Sequence, residues 1–144
     1  MRSKHFQNYL EAEVIAANPL QLVRLLYRGA LDSIAAARRH LRQGEIRTRS
    51  AAISKAMAIV AELARSLDPQ GSGELSQNLR ELYGYVQTLL IEANVGQSDA
   101  PLAEAEKLLS TLLEGWEHCA KNYDGSASHL RRTALEGELV SCPT

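Results

Sequence analysis

The chain has 144 residues, enough for one domain with a sizeable core. Hydrophobic residues make up 45% and aromatics only 5%, with Leu and Ala abundant, which favours helices over sheets and argues against disorder throughout. Sixteen basic residues against seventeen acidic ones leave a formal charge of −1, a balance that points to neither a nucleic-acid nor a membrane surface.

Residues 1–17 carry a short amphipathic pattern of Phe6, Tyr9, Leu10 and Val14. It is too short to hold as an isolated helix, so it has to dock or move. It lacks the apolar stretch of a signal peptide, and no apolar run in the chain is long enough to span a bilayer. Cys119 and Cys142 form no disulfide framework. These features together predict a soluble, cytoplasmic protein.

The first long helix starts at Asn18, a good N-cap, with Pro19 at the first helical position, and runs to about Leu41. Wound at 3.6 residues per turn, Leu20, Val23, Leu26, Tyr27, Ala30 and Ile34 form one stripe. Leu22, Leu25 and Gly29 form a second, adjoining one. Gln21, Arg24, Arg28 and Asp32 are left as the polar face. One apolar stripe packs a core; the second is in excess of what a core needs. "RRHLRQGEIRTR" follows, at 38–49. Basic side chains there complement the helix dipole and Gly44 ends the helix, while no aromatic platform accompanies them for nucleic acid.

A second helix is expected over about 47–67, with Ile53, Ala56, Met57, Val60, Leu63, Ala64 and Leu67 inward. Thr48, Ser50 and Ser54 predict a kink or fray at its start. "SLDPQGSGE" breaks the chain. The third helix, about 74–94, carries the seam Leu75, Leu79, Leu82, Val86, Leu89 and Ala93. The fourth starts near Asp99, with Pro101 just inside and the seam Leu102, Ala105, Leu109, Leu112, Trp116 and Cys119. The expected fold is all-α: an antiparallel four-helix bundle over 18–120, preceded by the 1–17 segment and followed by a weakly structured 121–144 tail with room for one short helix.

No catalytic or metal constellation emerges. His118 and Cys119 are adjacent and diverge on a helix, while His129 and Cys142 lie in the tail. Glu11 with Glu13, and Glu104 with Glu106, are two apart and read as solvated charges. "GSG" at 71–73 precedes a helix, but no Lys or Ser/Thr follows in a phosphate-loop arrangement. No base stands beside a Ser or Cys in the pattern. The prediction is therefore no enzyme, no cofactor and no metal.

What remains is surface. Gly29 lies in a helix interior, where glycine costs about 1 kcal/mol relative to alanine, and Gly84 repeats the pattern in "ELYGYVQTL". Each follows a Leu-Tyr pair, Leu26-Tyr27 and Leu82-Tyr83. Close helix–helix packing explains such glycines, and so does a shallow groove that accepts another helix. Tyr85, one position off the seam residue Val86, is expected to face outward.

Three stretches in order carry a resemblance. "NYLEAEVIAANPLQLVRLLYRGAL", "ISKAMAIVAELARSLDPQGSGELSQNLRELYGYVQTLLIEAN" and "PLAEAEKLLSTLLEGWE" resemble the opening, centre and last helix of the flagellin secretion chaperones, the FliS family, over roughly residues 8–117. Arg28 stands where an acidic or amide residue is commoner, and the tail after Trp116 has no counterpart. The resemblance implies an antiparallel helical bundle in the cytoplasm. It implies a protein that binds the disordered C-terminal segment of flagellin, keeps it from polymerising and delivers it to the flagellar type III export gate. It also implies an N-terminal segment that covers part of the binding surface and moves aside. The candidate contacts are then Leu22, Leu25 and Gly29 from the second stripe, Tyr9 and Leu10 as the movable cover, and Tyr27, Tyr83 and Tyr85. The exposed stripe also allows the free protein to pair as a homodimer. The competing readings are a helical module for a different flagellar partner and, far behind, a bundle enzyme or metal protein.

Overall fold

The computed structural model describes residues 19–67 and 73–125, and side chains over 20–67 and 73–118. Four helices follow one another: α1, Pro19–Arg42; α2, Ile46–Ser66; α3, Glu74–Gly96; and α4, Asp99–Gly125. No strand occurs among the described residues. The expected N-terminal segment, with Tyr9 and Leu10, and the tail beyond Gly125 lie outside the described residues.

The breaks follow local chemistry. After α1, Gly44 takes φ +72°, a left-handed conformation in which a side chain would be strained. The Gly44 N–H bonds back to the Leu41 carbonyl at 3.2 Å and the Glu45 N–H to that of His40 at 2.9 Å. Arg39, His40 and Arg42 occupy the last turn, where cations meet the negative helix end. α2 runs unbroken from Ile46, without the expected kink: the Thr48 hydroxyl donates to the Glu45 carbonyl at 3.2 Å and the Ser50 hydroxyl to Asn94 Oδ1 at 2.9 Å. These bonds employ the hydroxyls that make such residues indifferent helix formers. α3 ends at Gln97, whose φ of 49° turns the chain into α4.

α1 packs on α2 and α4, and α3 packs on α2 and α4, so the helices stand in cyclic order with α1 and α3 on opposite corners. The core draws on all four. Tyr27, Ala30, Ile34 and Ala37 come from α1, and Ile53, Ala56, Val60 and Leu63 from α2. Leu79, Tyr83, Val86, Leu89, Leu90 and Ala93 come from α3, and Leu102, Ala105 and Leu109 from α4. The α3 seam is broader than expected: Tyr83 and Leu90 are buried, while Leu75 and Leu82 are only half-buried.

A polar link crosses the centre. The Tyr27 and Tyr83 hydroxyls lie 2.7 Å apart, and the Trp116 indole N–H donates to the Tyr27 hydroxyl at 3.2 Å. Burial raises the pKa of both phenols. Three helices thus share one satisfied buried network.

The α1–α4 seam is charged. Arg38 donates to both Asp99 oxygens, at 2.8 and 2.9 Å, and to Glu106 at 2.8 Å. Asp99 therefore presents its carboxylate to α1, and Glu106 is a partner rather than a merely solvated charge. Arg28 pairs with Glu117 at 2.6 Å.

Candidate functional site

The second stripe of α1 opens onto a groove along its boundary with α2. The hollow has a volume of about 380 Å³, within the usual range of ligand sites. Leu22, Leu25, Leu26 and Gly29 line it from α1, and Ala52 and Ile59 from α2. Arg28, Asp32 and Lys55 supply charge at its edge. Towards the start of α1 and the end of α2 a further hollow continues past Leu22 and Leu26 to Glu62, Arg65 and Ser66.

Helical spacing creates this strip. Tyr27, Ala30 and Ile34 point inward and fix the rotation of α1, so positions 22, 25 and 29 fall beside the boundary instead of beneath it. Gly29 forms the close approach: a Cβ there would meet Ile59 Cδ1 at 3.3 Å, tighter than ordinary contact. Without that Cβ the two helices draw together and the strip keeps a shallow floor.

The predicted site residues separate into three groups. Leu22, Leu25 and Gly29 are brought together at the groove. Tyr27 and Tyr83 are not with them: they are 0% and 2% exposed and bonded to one another, so neither offers surface to a partner, and both belong to the core. Their hydroxyls find partners inside the bundle, which the sequence pattern does not disclose. Tyr85 is exposed as expected, on the far corner of the bundle, with its hydroxyl donating to Glu104. That bond to a carboxylate holds the Tyr85 proton and raises its pKa.

Sequence reasoning missed Leu26, Ala52 and Ile59 as lining residues; Leu26 was assigned wholly to the core stripe. It also missed Arg49, which is 4% exposed at the start of α2, with Nη2 3.5 Å from Asn94 Oδ1. Nothing in "IRTRS" separates Arg49 from its exposed neighbour Arg47.

The groove is apolar with charge only at its edge. Among the described residues no three His, Cys, Asp or Glu side chains gather as a metal site, and no helix is long and apolar enough to cross a membrane. What such a surface does best is hold the apolar face of another segment.

The fold and its groove define a four-helix bundle with an open apolar strip between its first two helices, and comparison with known sequences identifies its family. The model of the family described as Flagellar protein FliS matches residues 2–123, so the chain belongs to that family. It is similar to the flagellar secretion chaperone FliS of Salmonella typhimurium, 37% identical over 109 residues, which cover 75% of this chain and 81% of the relative. It is equally similar to the flagellar secretion chaperone FliSB of Pseudomonas aeruginosa, 37% identical over 108 residues, covering 75% and 86%. A more distant relative, the flagellar secretion chaperone FliS of Bacillus subtilis, is 26% identical over 114 residues, covering 79% and 84%.

Proposed function

We propose that this protein is a non-enzymatic, cytoplasmic export chaperone for flagellin. It binds the disordered C-terminal segment of flagellin, keeps it from polymerising before export and presents it to the flagellar type III export apparatus. The observation that carries the reading is the groove formed by Leu22, Leu25, Gly29 and Ile59 in a chain whose relatives are named flagellar secretion chaperones.

The mechanism is folding coupled to binding. A disordered client loses conformational entropy when it becomes helical, and burial of its apolar face offsets that loss. Fully burying a leucine contributes about 1.5–3 kcal/mol, so an anchor pair at Leu22 and Leu25 supplies a useful part of the driving force. Charges of both signs at the rim, Asp32 and Lys55, fix the client's register more than they add affinity. Residues 1–17, through Tyr9 and Leu10, act as a cover that yields the groove to the client.

The test is calorimetric titration of the whole protein with a peptide of the cognate flagellin's C-terminal segment, with circular dichroism of the mixture. Saturable binding and a gain in helicity are expected. Absence of binding overturns the proposal. Recovery of a different flagellar protein, but not flagellin, from the host would favour an interaction module with another partner. Deleting residues 1–17 should tighten binding, or leave it unchanged where Tyr9 and Leu10 also touch the client.

A further inference from the structure

The −1 net charge conceals a sharp division. α1 and α2 together carry nine Lys and Arg against Asp32 and Glu62, whereas α3 and α4 carry nine Asp and Glu against Arg80, Lys107 and Lys121. The bundle has a basic half and an acidic half.

On the acidic half, the outer face of α3 is apolar where it should be polar. Gly84, Thr88, Ile91 and Val95 recur at spacings of four, three and four, which places them on one side of the helix. Ile91 is 49% and Val95 80% exposed, and Tyr85 lies exposed beside them. Glu81 and Glu92 run along one side of this line, the side of Tyr85, whose hydroxyl is bonded to Glu104, and Arg80 stands on the other side.

Gly84 makes the face more than scattered hydrophobics. A glycine in the middle of an exposed helix destabilises it relative to alanine. Among the described residues Gly84 has no reason for that: its φ is not positive, and a Cβ there would meet nothing within 4 Å. Gly29, by contrast, is in close approach to Ile59. The missing Cβ at Gly84 leaves room for something beyond the described residues to come against α3.

We propose that the outer face of α3 is a second docking surface, and that its occupant is a helix of another protein bearing an apolar stripe flanked by Lys or Arg. The apolar stripe seats on Ile91 and Val95, the missing Cβ at Gly84 lets the two backbones approach, and the flanking cations face Glu81 and Glu92. Antiparallel pairing of α3 with α3 of a second copy is disfavoured, because it brings Glu81 of one copy beside Glu92 of the other. α3 stands on the corner opposite α1, so a partner here leaves the Leu22–Leu25 groove open and both can be held at once.

The test uses the whole protein labelled with 15N and two designed amphipathic peptides with the same leucine stripe, one flanked by lysines and the other by glutamates. The lysine peptide is expected to shift the amides of Gly84, Tyr85, Thr88, Ile91 and Val95, more weakly as salt is raised, and the glutamate peptide is not. Val95→Asp should weaken the lysine peptide at least about tenfold without unfolding an exposed position. Gly84→Ala should raise the melting temperature yet weaken the peptide, a combination that a merely structural glycine would not give. Shifts confined to Leu22, Leu25 and Gly29, or equal binding of both peptides, overturn the proposal. So does concentration-dependent self-association in sedimentation that Val95→Asp abolishes, because a second copy is then the occupant.

Discussion

The groove between α1 and α2 and the outer face of α3 begin from the same sequence feature, a glycine shortly after a Leu-Tyr pair, and end as opposites. At Gly29 the missing Cβ is filled by the neighbouring helix, with Ile59 Cδ1 3.3 Å from where the Cβ would stand. At Gly84 it faces open space. The first glycine shapes a concave strip with charges of both signs at its rim; the second leaves a convex helix face smooth in the acidic half of the bundle. A glycine in a helix therefore marks room for a close approach, and only the packing says whether the chain itself fills that room.

The comparison is broken most forcefully at the groove. Leu22→Asp with Leu25→Asp should lower affinity for the flagellin segment by about 100-fold or more, two anchors at about 1.5–3 kcal/mol each. The thermal midpoint should move by only a few degrees, because both leucines are partly exposed. Calorimetry beside a melting curve checks both. An unchanged affinity would take the groove out of client binding.

Next in size is the polar link at the centre. Tyr27→Phe leaves the Tyr83 hydroxyl and the Trp116 N–H without their shared partner and should cost about 1–3 kcal/mol in urea unfolding. Tyr83→Phe removes only one end and should cost less. If both were neutral, the network would contribute nothing beyond packing.

The two glycines come third and bear most directly on the contrast. Gly84→Ala should stabilise by about 1 kcal/mol, the full helix-propensity gain, since the new methyl meets nothing. Gly29→Ala should gain clearly less or lose, because Ile59 must give way. Equal gains in chemical denaturation would erase the distinction.

The smallest effect is that of pH. Hydrogen bonds from Arg38 hold the Asp99 carboxyl below its usual range, and those from Arg28 do the same for Glu117. The unfolded chain takes up these protons at higher pH than the folded one. The stabilisation is therefore complete only above about pH 6, clear of the unfolded-state values, and is lost as pH falls through the lower folded-state values. Both pairs are partly exposed, so each should contribute about 1 kcal/mol at most. The urea midpoint measured between neutral and acid pH should fall, and Asp99→Asn should flatten part of that fall.

The helices, their order and the groove's α1 edge are legible in sequence because they rest on period. Proline and glycine mark the ends of α1, and the inward stripe of Tyr27, Ala30 and Ile34 fixes where Leu22 and Leu25 fall. Period cannot tell which of two neighbouring positions faces inward when both are large, so Leu82 was preferred to Tyr83. Nor can it see a partner in another helix. Arg38, Asp99 and Glu106 are ordinary surface residues until the fold sets them 2.8 Å apart. The charge division between the two halves was present in the sequence but vanished into a sum of −1.

The seam that Arg38 fastens also has a bearing on the order of assembly. The α1–α2, α2–α3 and α3–α4 boundaries each join consecutive helices, but α1 meets α4 across a long stretch of chain, with Arg38 and Asp99 61 residues apart and Arg28 and Glu117 89 apart. Closing so long a loop is the entropically expensive contact of the bundle. The strip that holds Leu22, Leu25 and Ile59 is built from the first two helices alone. The apolar floor of the groove thus takes no residue from the two helices that the chain makes last.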